Sequence, residues 1–505
     1  MKRLTSIILF ALLLFVSNLS FAQEPILTKK QMYKDFDQLV KIIENCNVQL
    51  PIKKTITGFD NLEKIKSWRK RIDTITCYNS FKTLLNNALF FVMDVHTREV
   101  NSFVPEYDNL EGIDTCSIRK MAEYNNSKER DYSIEYKESN YLPINAVYHD
   151  DNYYFIGNHK FVDKNEDTLH IYFMKLLSCN GQSIDKYVAK SYIEDYDYKR
   201  KKYYYGSSFG LSIPKNSIIK GEQDGKIYEF NLENYQQALL CSLAKFELDS
   251  TIPKKIPSLF RDKEVKFFDR DSILYIYLDR MNCSTEFYDK VKEVGKGKKI
   301  NKVIVDVRDN PGGGDEAWHN LLKAIIKDSI PFHVKLAYSN SKMMDKFYKK
   351  ENVKKGRLKW LDNKTYRVLE ERLFFVADSN SLKYDGKIYV LENESTFSAA
   401  HSLTSYANQI DKIISVGYPT GQMVGLGVLP TLFQLKYSKF TFRLTTIIDI
   451  TNCEKPIDVY QDFPEVEVYP TIEEHLLHPL SLYDIKSEEY LYKYDSMFKK
   501  VLELK

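Results

Sequence analysis

The sequence predicts an α/β protein with a helical region and a β-rich region ahead of its α/β part, on three observations. From about Pro257 to Pro470, strand-like and helix-like segments alternate, which favours an α/β core. From about Glu24 to Ile118, apolar residues recur at three- and four-residue intervals, as in QMYKDFDQLVKIIENC and NSFKTLLNNALFFVM, the spacing of amphipathic helices. From about Arg119 to Ile256, short runs rich in Tyr, Ile and Val take over, residue types that suit pleated, half-buried surfaces.

Ahead of these regions, Lys2 and Arg3 precede the apolar run IILFALLLFV from Ile7 to Val16, and Ser20 and Ala22 frame a cleavage point before Gln23. That is the pattern of a secretory signal peptide over residues 1–22. The run is short of the ~20 apolar residues a spanning helix needs, and no later stretch approaches that length, so no membrane span is expected. No cysteine follows the cleavage point, so nothing points to a lipid anchor there. A periplasmic or secreted mature protein is the expectation.

The 505 residues, 43% hydrophobic and 28% charged, are ordinary globular material and long enough for several domains. The formal charge is +4, half of it carried by Lys2 and Arg3. A nearly neutral mature chain gives no reason to expect nucleic acid or an anionic membrane as partner. The 37 tyrosines, clustered in strings such as YKRKKYYYG from Tyr198 to Gly206, fit half-buried strand faces better than a sugar or base platform. Seven cysteines (Cys46, Cys77, Cys116, Cys179, Cys241, Cys283 and Cys453) are scattered with no CxxC pair. That pattern argues against a structural zinc site and against a dense disulfide framework. No metal or organic cofactor is implied.

The regions are bounded as 23–118 (helical), 119–256 (β-rich), 257–470 (α/β) and 471–505, a tail in which SEEYLYKYDSMFKKVLELK has an amphipathic helical pattern. Within the β-rich region, IYFMKLLSCNGQSIDKYVAKSYI reads as a strand, an Asn180-Gly181 turn and a helix. The string resembles the carboxylate-binding side of a PDZ-like module; it is equally readable as an ordinary strand-turn-helix.

Two strand-loop-helix units of the α/β region carry the chemistry. In KINKVIVDVRDNPGGGDEAWHNLLKAIIKD, a buried-type strand runs through Asp309, Asn310 and Pro311 to three glycines and then a helix. Glycines at Gly312 to Gly314 allow backbone conformations closed to other residues. Bare amides at the mouth of a helix can hold a negative oxygen. A simple tight turn is the structural alternative. In GKIYVLENESTFSAAHSLTSYANQ, a strand ending near Leu391 leads through a polar turn into a helix expected to begin around Phe397. Ser398 then sits at the helix start, where free amides and the dipole favour an anion beside its hydroxyl. An amino-terminal cap is the competing role for such a serine.

Together the two units resemble the tail-specific (carboxyl-terminal-processing) serine peptidases, and most nearly their tricorn-core and retinoid-binding-protein-like branch. VIVDVRDNPGGG is similar to the family's strand-plus-NPGG loop and STFSAAHS to its nucleophile turn, with VGYPTG (Val416 to Gly421) and FPEVEVYP (Phe463 to Pro470) following in the family's order. The resemblance is specific over roughly Ile273 to Pro470. It implies a ClpP/crotonase-like catalytic domain, a polypeptide substrate, Ser398 as nucleophile, and an oxyanion held by amides of Gly312 or Gly313 and of Ala399.

A serine at its free pKa is a poor nucleophile and needs a base. Many family members use a lysine in a GKG string, but alignment on Gly417 and Thr420 puts Met423 at that lysine and Val424 at its glycine. Lys412, Lys436 and Lys439 are out of register and read as solvated charges. The tricorn-core branch uses a histidine from ahead of the α/β core, and FFVMDVHTREV resembles its DGHT-like string, which makes His96 the candidate base. Histidine titrates near neutrality and suits that role. Asp94 would orient the imidazole or cap a turn. His401, three residues after Ser398 where the family has glutamate, is the alternative base. Glu454 and Asp458 lie where tricorn-like enzymes recruit a late glutamate. A catalytically silent protein that binds a peptide or apolar ligand in the same cleft is the competing function.

Overall fold

The computed structural model describes residues 27–92, 94, 96–100, 141–144, 146–149, 152–162, 168–191, 196–197, 202–203, 211–214, 216–232, 235–236, 251, 263–347, 354–361, 365–407, 409–419, 427–459, 464–471, 473–474 and 483–505. The expected signal peptide, Cys116, Cys241, Met423 and Val424 lie outside them. The chain divides into two compact units.

The larger unit contains a six-stranded sheet ordered β1 (Glu264–Phe268), β2 (Ile273–Tyr277), β3 (Lys302–Asp306), β4 (Ile388–Glu392), β5 (Ile413–Gly417) and β6 (Val466–Glu467). β1 runs antiparallel to β2 and every later pair is parallel. Parallel neighbours need crossover connections. Helix α1 (Thr285–Gly295) lies between β2 and β3, α2 (Glu316–Ile325) follows β3, and α3 (Ala399–Ala407) links β4 to β5.

The two-residue period of a strand sends alternate side chains to opposite faces, and here both faces are covered. Leu274, Ile276, Val303, Val305, Ile388 and Val390 pack in one core with Trp318 and Leu321 of α2 and Leu403 of α3. Ile273, Tyr275, Ile304, Tyr389 and Leu391 pack in a second core with Leu491 and with Phe498 and Val501 of α4 (Ser496–Glu503). Burial on both faces is why VIVDV and IYVLE read as nearly unbroken apolar runs rather than alternating ones. Lys302 Nζ on β3 donates to the carbonyls of Val501, Leu502 and Leu504, a cation at the carboxyl end of α4, where Val501 O also accepts the Leu504 amide.

The same unit includes a seven-stranded sheet whose longest members are Asn152–Val162 and Thr168–Cys179, paired antiparallel. Asn180 and Gly181 have φ of +49° and +74° and join Thr168–Cys179 to Gln182–Ser183. Both signs suit a two-residue hairpin turn, after which the helix Ile184–Ser191 follows. Asn180 Oδ1 accepts the Ile218 amide at 2.8 Å and its Nδ2 donates to Ser217 Oγ at 3.1 Å, which ties the turn to the strand Ile218–Gln223.

The smaller unit holds the helices Lys29–Cys46, Gln49–Thr57, Asn61–Ser67 and Tyr78–Phe90, whose Phe36, Leu39, Ile43, Phe81 and Leu85 are buried. Thr28 opens the first helix with a reciprocal box to Gln31. Residues Ser339–Lys349 and Leu429–Thr446 cluster with these helices, although the sequence places both segments within the 257–470 region. Arg98–Glu99 pairs antiparallel with Arg443 and Phe442. The carboxylate of buried Asp35 accepts the amides of Tyr437 (3.0 Å) and Ser438 (2.6 Å). Side chains remote in sequence therefore hold this unit together.

None of the five described cysteines (Cys46, Cys77, Cys179, Cys283, Cys453) is in a disulfide. No group of three or more metal-binding side chains occurs among the described residues, nor any helix long and apolar enough to cross a membrane.

Candidate active site

Crevices at the carboxyl ends of parallel strands are the usual ligand sites of such sheets. Here β3 and β4 end side by side, pairing through Asp306 and Leu391, and the loops that follow are laced together. The Val307 amide donates to Leu391 O at 3.0 Å, Thr396 Oγ1 to Val307 O at 3.0 Å, and the Phe397 amide to Asn310 O at 2.9 Å. Asn393 Oδ1 accepts the Asp309 amide at 3.0 Å while its Nδ2 donates to Asp309 Oδ1 at 2.9 Å. Asp309 has φ +56°, and this exchange with Asn393 holds it there.

Helix α3 starts at Ala399, two residues later than expected, and Ser398 just before it has φ +56°. Residues that precede other described helices have negative φ, whether extended, as Thr28 (−72°), Ser284 (−86°) and Ser487 (−70°), or right-handed, as Asp315 (−60°). Left-handed backbone costs a residue with a Cβ about 1–2 kcal/mol. Such strain persists where surrounding structure over-determines it, and it concentrates at functional sites. A serine on a sharp strand-to-helix turn is the geometry that lifts its Oγ clear of the sheet.

Gly312 completes the turn from the other side. Its φ is +89°, and a Cβ built on it would lie 2.5 Å from Ser398 Cβ, 2.7 Å from Phe397 O and 3.0 Å from the Ala399 amide nitrogen. Only a residue without Cβ lets the loop approach the serine this closely. Gly312→Ala is therefore expected to lower stability by about 2–3 kcal/mol through overpacking and strain, read as a fall in the urea midpoint at unchanged m. An unaltered midpoint would show that the loop yields without cost.

The loop's amides are not equivalent. Gly312 N donates to Asn310 Oδ1 at 2.9 Å, and the Gly314 amide donates to Met281 O at 2.8 Å. Among the described residues the amides of Gly313 and Ala399 make no such bond. A serine hydroxyl beside two unengaged amides at a helix mouth can attack a carbonyl carbon and stabilise the resulting oxyanion.

Beneath the loop, Arg308 binds Asp306 through Nε (2.9 Å) and Nη2 (2.6 Å) and Asp495 through Nη1 (2.6 Å). Tyr275 OH donates to Asp306 Oδ2 at 2.7 Å. Burial disfavours charge on Arg308, but Asp306 and Asp495 outweigh it and hold the guanidinium well above its ordinary pKa. Burial first, then Asp306, pushes the Tyr275 phenol well up. Asp495 also caps α4 by accepting the Phe498 amide at 2.8 Å, so the helix under the sheet is fastened to the strand that feeds the glycine loop.

His401 lies within α3 and is buried; its carbonyl accepts the Thr404 hydroxyl at 3.0 Å. His96 belongs to the smaller unit, in a buried turn where Asp94 Oδ1 accepts the His96 amide at 2.9 Å and Oδ2 accepts Thr97 Oγ1 at 3.0 Å. The imidazole Nδ1 is 4.0 Å from Asp94 Oδ1, so the Asp94 carboxylate braces the turn's backbone. Arg443 Nε donates to His96 O at 2.7 Å. Asp458 accepts the amides of Glu454 and Lys455, a local capping role. Lys412 pairs with exposed Asp385 and Lys436 lies over Tyr437, as expected of surface charges.

The sequence marks Asn310 only as part of the NPGG string, with no sign of its bracing role, and does not single out Asn393, Thr396 or Glu392. Glu392 is fully buried at the end of β4, and an acid closing the apolar run IYVL was its one visible signal. The other three brace backbone, and asparagine or threonine in a loop carries no mark distinguishing that task from solvent exposure.

Residues 272–468 match the model of peptidase family S41. No curated protein matches the sequence significantly. Among solved structures, mature CPAF is 14% identical with a TM-score of 0.52, covering 90% of this chain and 96% of its own. Mature CPAF complexed with lactacystin is 16% identical with a TM-score of 0.53, covering 94% of this chain and 98% of its own. At such identities the likeness concerns the fold.

Proposed function

We propose that this chain, a serine-type peptidase of family S41, is an exported endopeptidase that cleaves polypeptides through an acyl-enzyme on Ser398, with His96 as base in place of lysine. The observation that carries the reading is the left-handed backbone of Ser398 with Gly312 pressed against it, a strained arrangement that a mere helix cap does not need.

In this reading Ser398 Oγ attacks the peptide carbonyl carbon as its proton passes to the imidazole, and the oxyanion is held by the Gly313 and Ala399 amides. The imidazolium returns that proton to the leaving amine as the C–N bond breaks. Water, deprotonated by the same imidazole, then releases the acyl group and restores the serine. The turn that fixes the backbone at His96 through Asp94 and Arg443 supports it over His401, which is embedded in the short helix α3. The run of parallel strands β2 to β5 supports a ClpP/crotonase-like domain, and the 168–191 strand-turn-helix supports a PDZ-like module for substrate ends. The pattern over residues 1–22 supports export to the periplasm or beyond.

A silent peptide- or apolar-ligand-binding protein is the second reading, favoured by Met423 at the family's lysine position and His401 at its glutamate position. Purified mature protein incubated with an unfolded protein substrate and a fluorophosphonate separates the two. Lactacystin, present in one CPAF structure, serves as a second active-site probe. His96→Ala is expected to lower kcat by about 10³-fold or more, and His401→Ala to retain activity within about tenfold. The reverse pattern reassigns the base to His401. Absence of both hydrolysis and labelling in the wild type rejects the enzyme reading.

A further inference from the structure

We infer that Asn310 is a positioning residue that makes Gly313, and not Gly312, the glycine loop's oxyanion donor; this rests on Ser398 being the nucleophile. Asn310 is fully buried, and its groups join three segments. Nδ2 donates to Leu278 O just past β2 at 2.8 Å, Oδ1 accepts the Gly312 amide at 2.9 Å, and its carbonyl accepts the Phe397 amide, next to Ser398, at 2.9 Å.

Two consequences follow from that bonding. The Gly312 amide is occupied by a side chain two residues back, so it is withdrawn from any ligand. The loop is also held in a strand-like path along Met281: the Met281 amide donates to Gly312 O at 2.9 Å and its carbonyl accepts the Gly314 amide at 2.8 Å. In such a parallel bridge, formed here between Met281 and Gly313, the paired central residue turns its own amide and carbonyl to the opposite side. The Gly313 amide is thus directed away from Met281. A Cβ at Gly313, φ +150°, would collide with Met281 O, so the close approach that sets this direction requires glycine.

Asparagine is suited to position 310 because one group donates while the other accepts. Aspartate has the same shape but sets a carboxylate against Leu278 O, and serine cannot span both partners.

The test uses the full mature chain, with Asn310→Asp, Asn310→Ser and Ser398→Ala compared for kcat and KM on a quenched fluorogenic peptide. Affinity is measured for a peptide aldehyde, whose adduct with a serine places an oxygen in the oxyanion site, and for the product peptide. Both Asn310 variants are expected to lose about 10²-fold in kcat and in aldehyde affinity, with KM and product affinity near wild type and a melting temperature lowered by the stranded Leu278 carbonyl but still above the assay temperature. Wild-type kcat in Asn310→Asp, beside an inactive Ser398→Ala, overturns this inference alone. Unfolding of both variants, or losses shared equally by KM and product affinity, assigns Asn310 a merely structural role and also overturns it. Full hydrolysis by Ser398→Ala overturns the nucleophile reading and this one with it.

Discussion

Ser398→Ala is expected to lower kcat by about 10⁴-fold or more while leaving the thermal and urea transitions close to wild type. Alanine meets nearly the same left-handed penalty as serine at φ +56° and keeps the Cβ against which Gly312 packs. The backbone bonds from Phe397 to Asn310 and from Ser402 to the carbonyl of residue 398 do not involve the hydroxyl. On the proposed reading the substitution removes the nucleophile and leaves the scaffold. Steady-state hydrolysis of an unfolded protein, with intact-mass detection of fluorophosphonate adducts, reads the loss. A variant that still turns over within tenfold of wild type would remove Ser398 from the chemistry.

The second large effect concerns stability. Arg308→Met should destabilise the protein by about 3–5 kcal/mol, because the guanidinium neutralises two carboxylates, Asp306 and Asp495, that are 1% and 2% exposed. Methionine replaces much of the volume but none of the charge, stranding both acids. Burial already raises the pKa of Asp495, with Arg308 pulling it back, so removing the arginine raises it further. A carboxyl whose folded pKa exceeds its unfolded value contributes stability below the unfolded pKa and loses it as pH rises through the folded one. The variant's deficit is therefore larger at pH 7 than at pH 4. Urea unfolding of wild type and variant at both pH values measures this, and a deficit under 1 kcal/mol at neutral pH would mean that water or relaxation replaces the arginine.

The strands β3 and β4 were legible because burial on both faces leaves long apolar runs, VIVDV and IYVLE, that end in turn residues. Helices of the smaller unit were legible from three- and four-residue spacing. The start of α3 was misplaced by two residues because Phe397 and Ser398 belong by composition to a helix, whereas the chain spends them on a strained turn bonded to Asn310. Nothing in STFSAAHS announces a positive φ at its second serine. Asn393 and Asn310 were invisible as braces for a related reason: their partners, Asp309 and Leu278, come from other segments.

Local pattern by itself determined the strands β3 and β4, the helices of the smaller unit and the Asn180-Gly181 turn, since hydrophobic period and turn chemistry act over a few residues of chain. Pairing Ser398 with the glycine loop as candidates took the family resemblance of two motifs in order, because each motif alone reads equally as a cap or a tight turn. Tertiary structure alone decided that Gly312 lies against Ser398, that its amide is consumed by Asn310, and that Gly313 and Ala399 keep theirs. Those outcomes depend on the parallel pairing of β3 with β4, which brings two loops far apart in sequence within hydrogen-bonding distance, and no local propensity encodes the direction an amide takes once they meet.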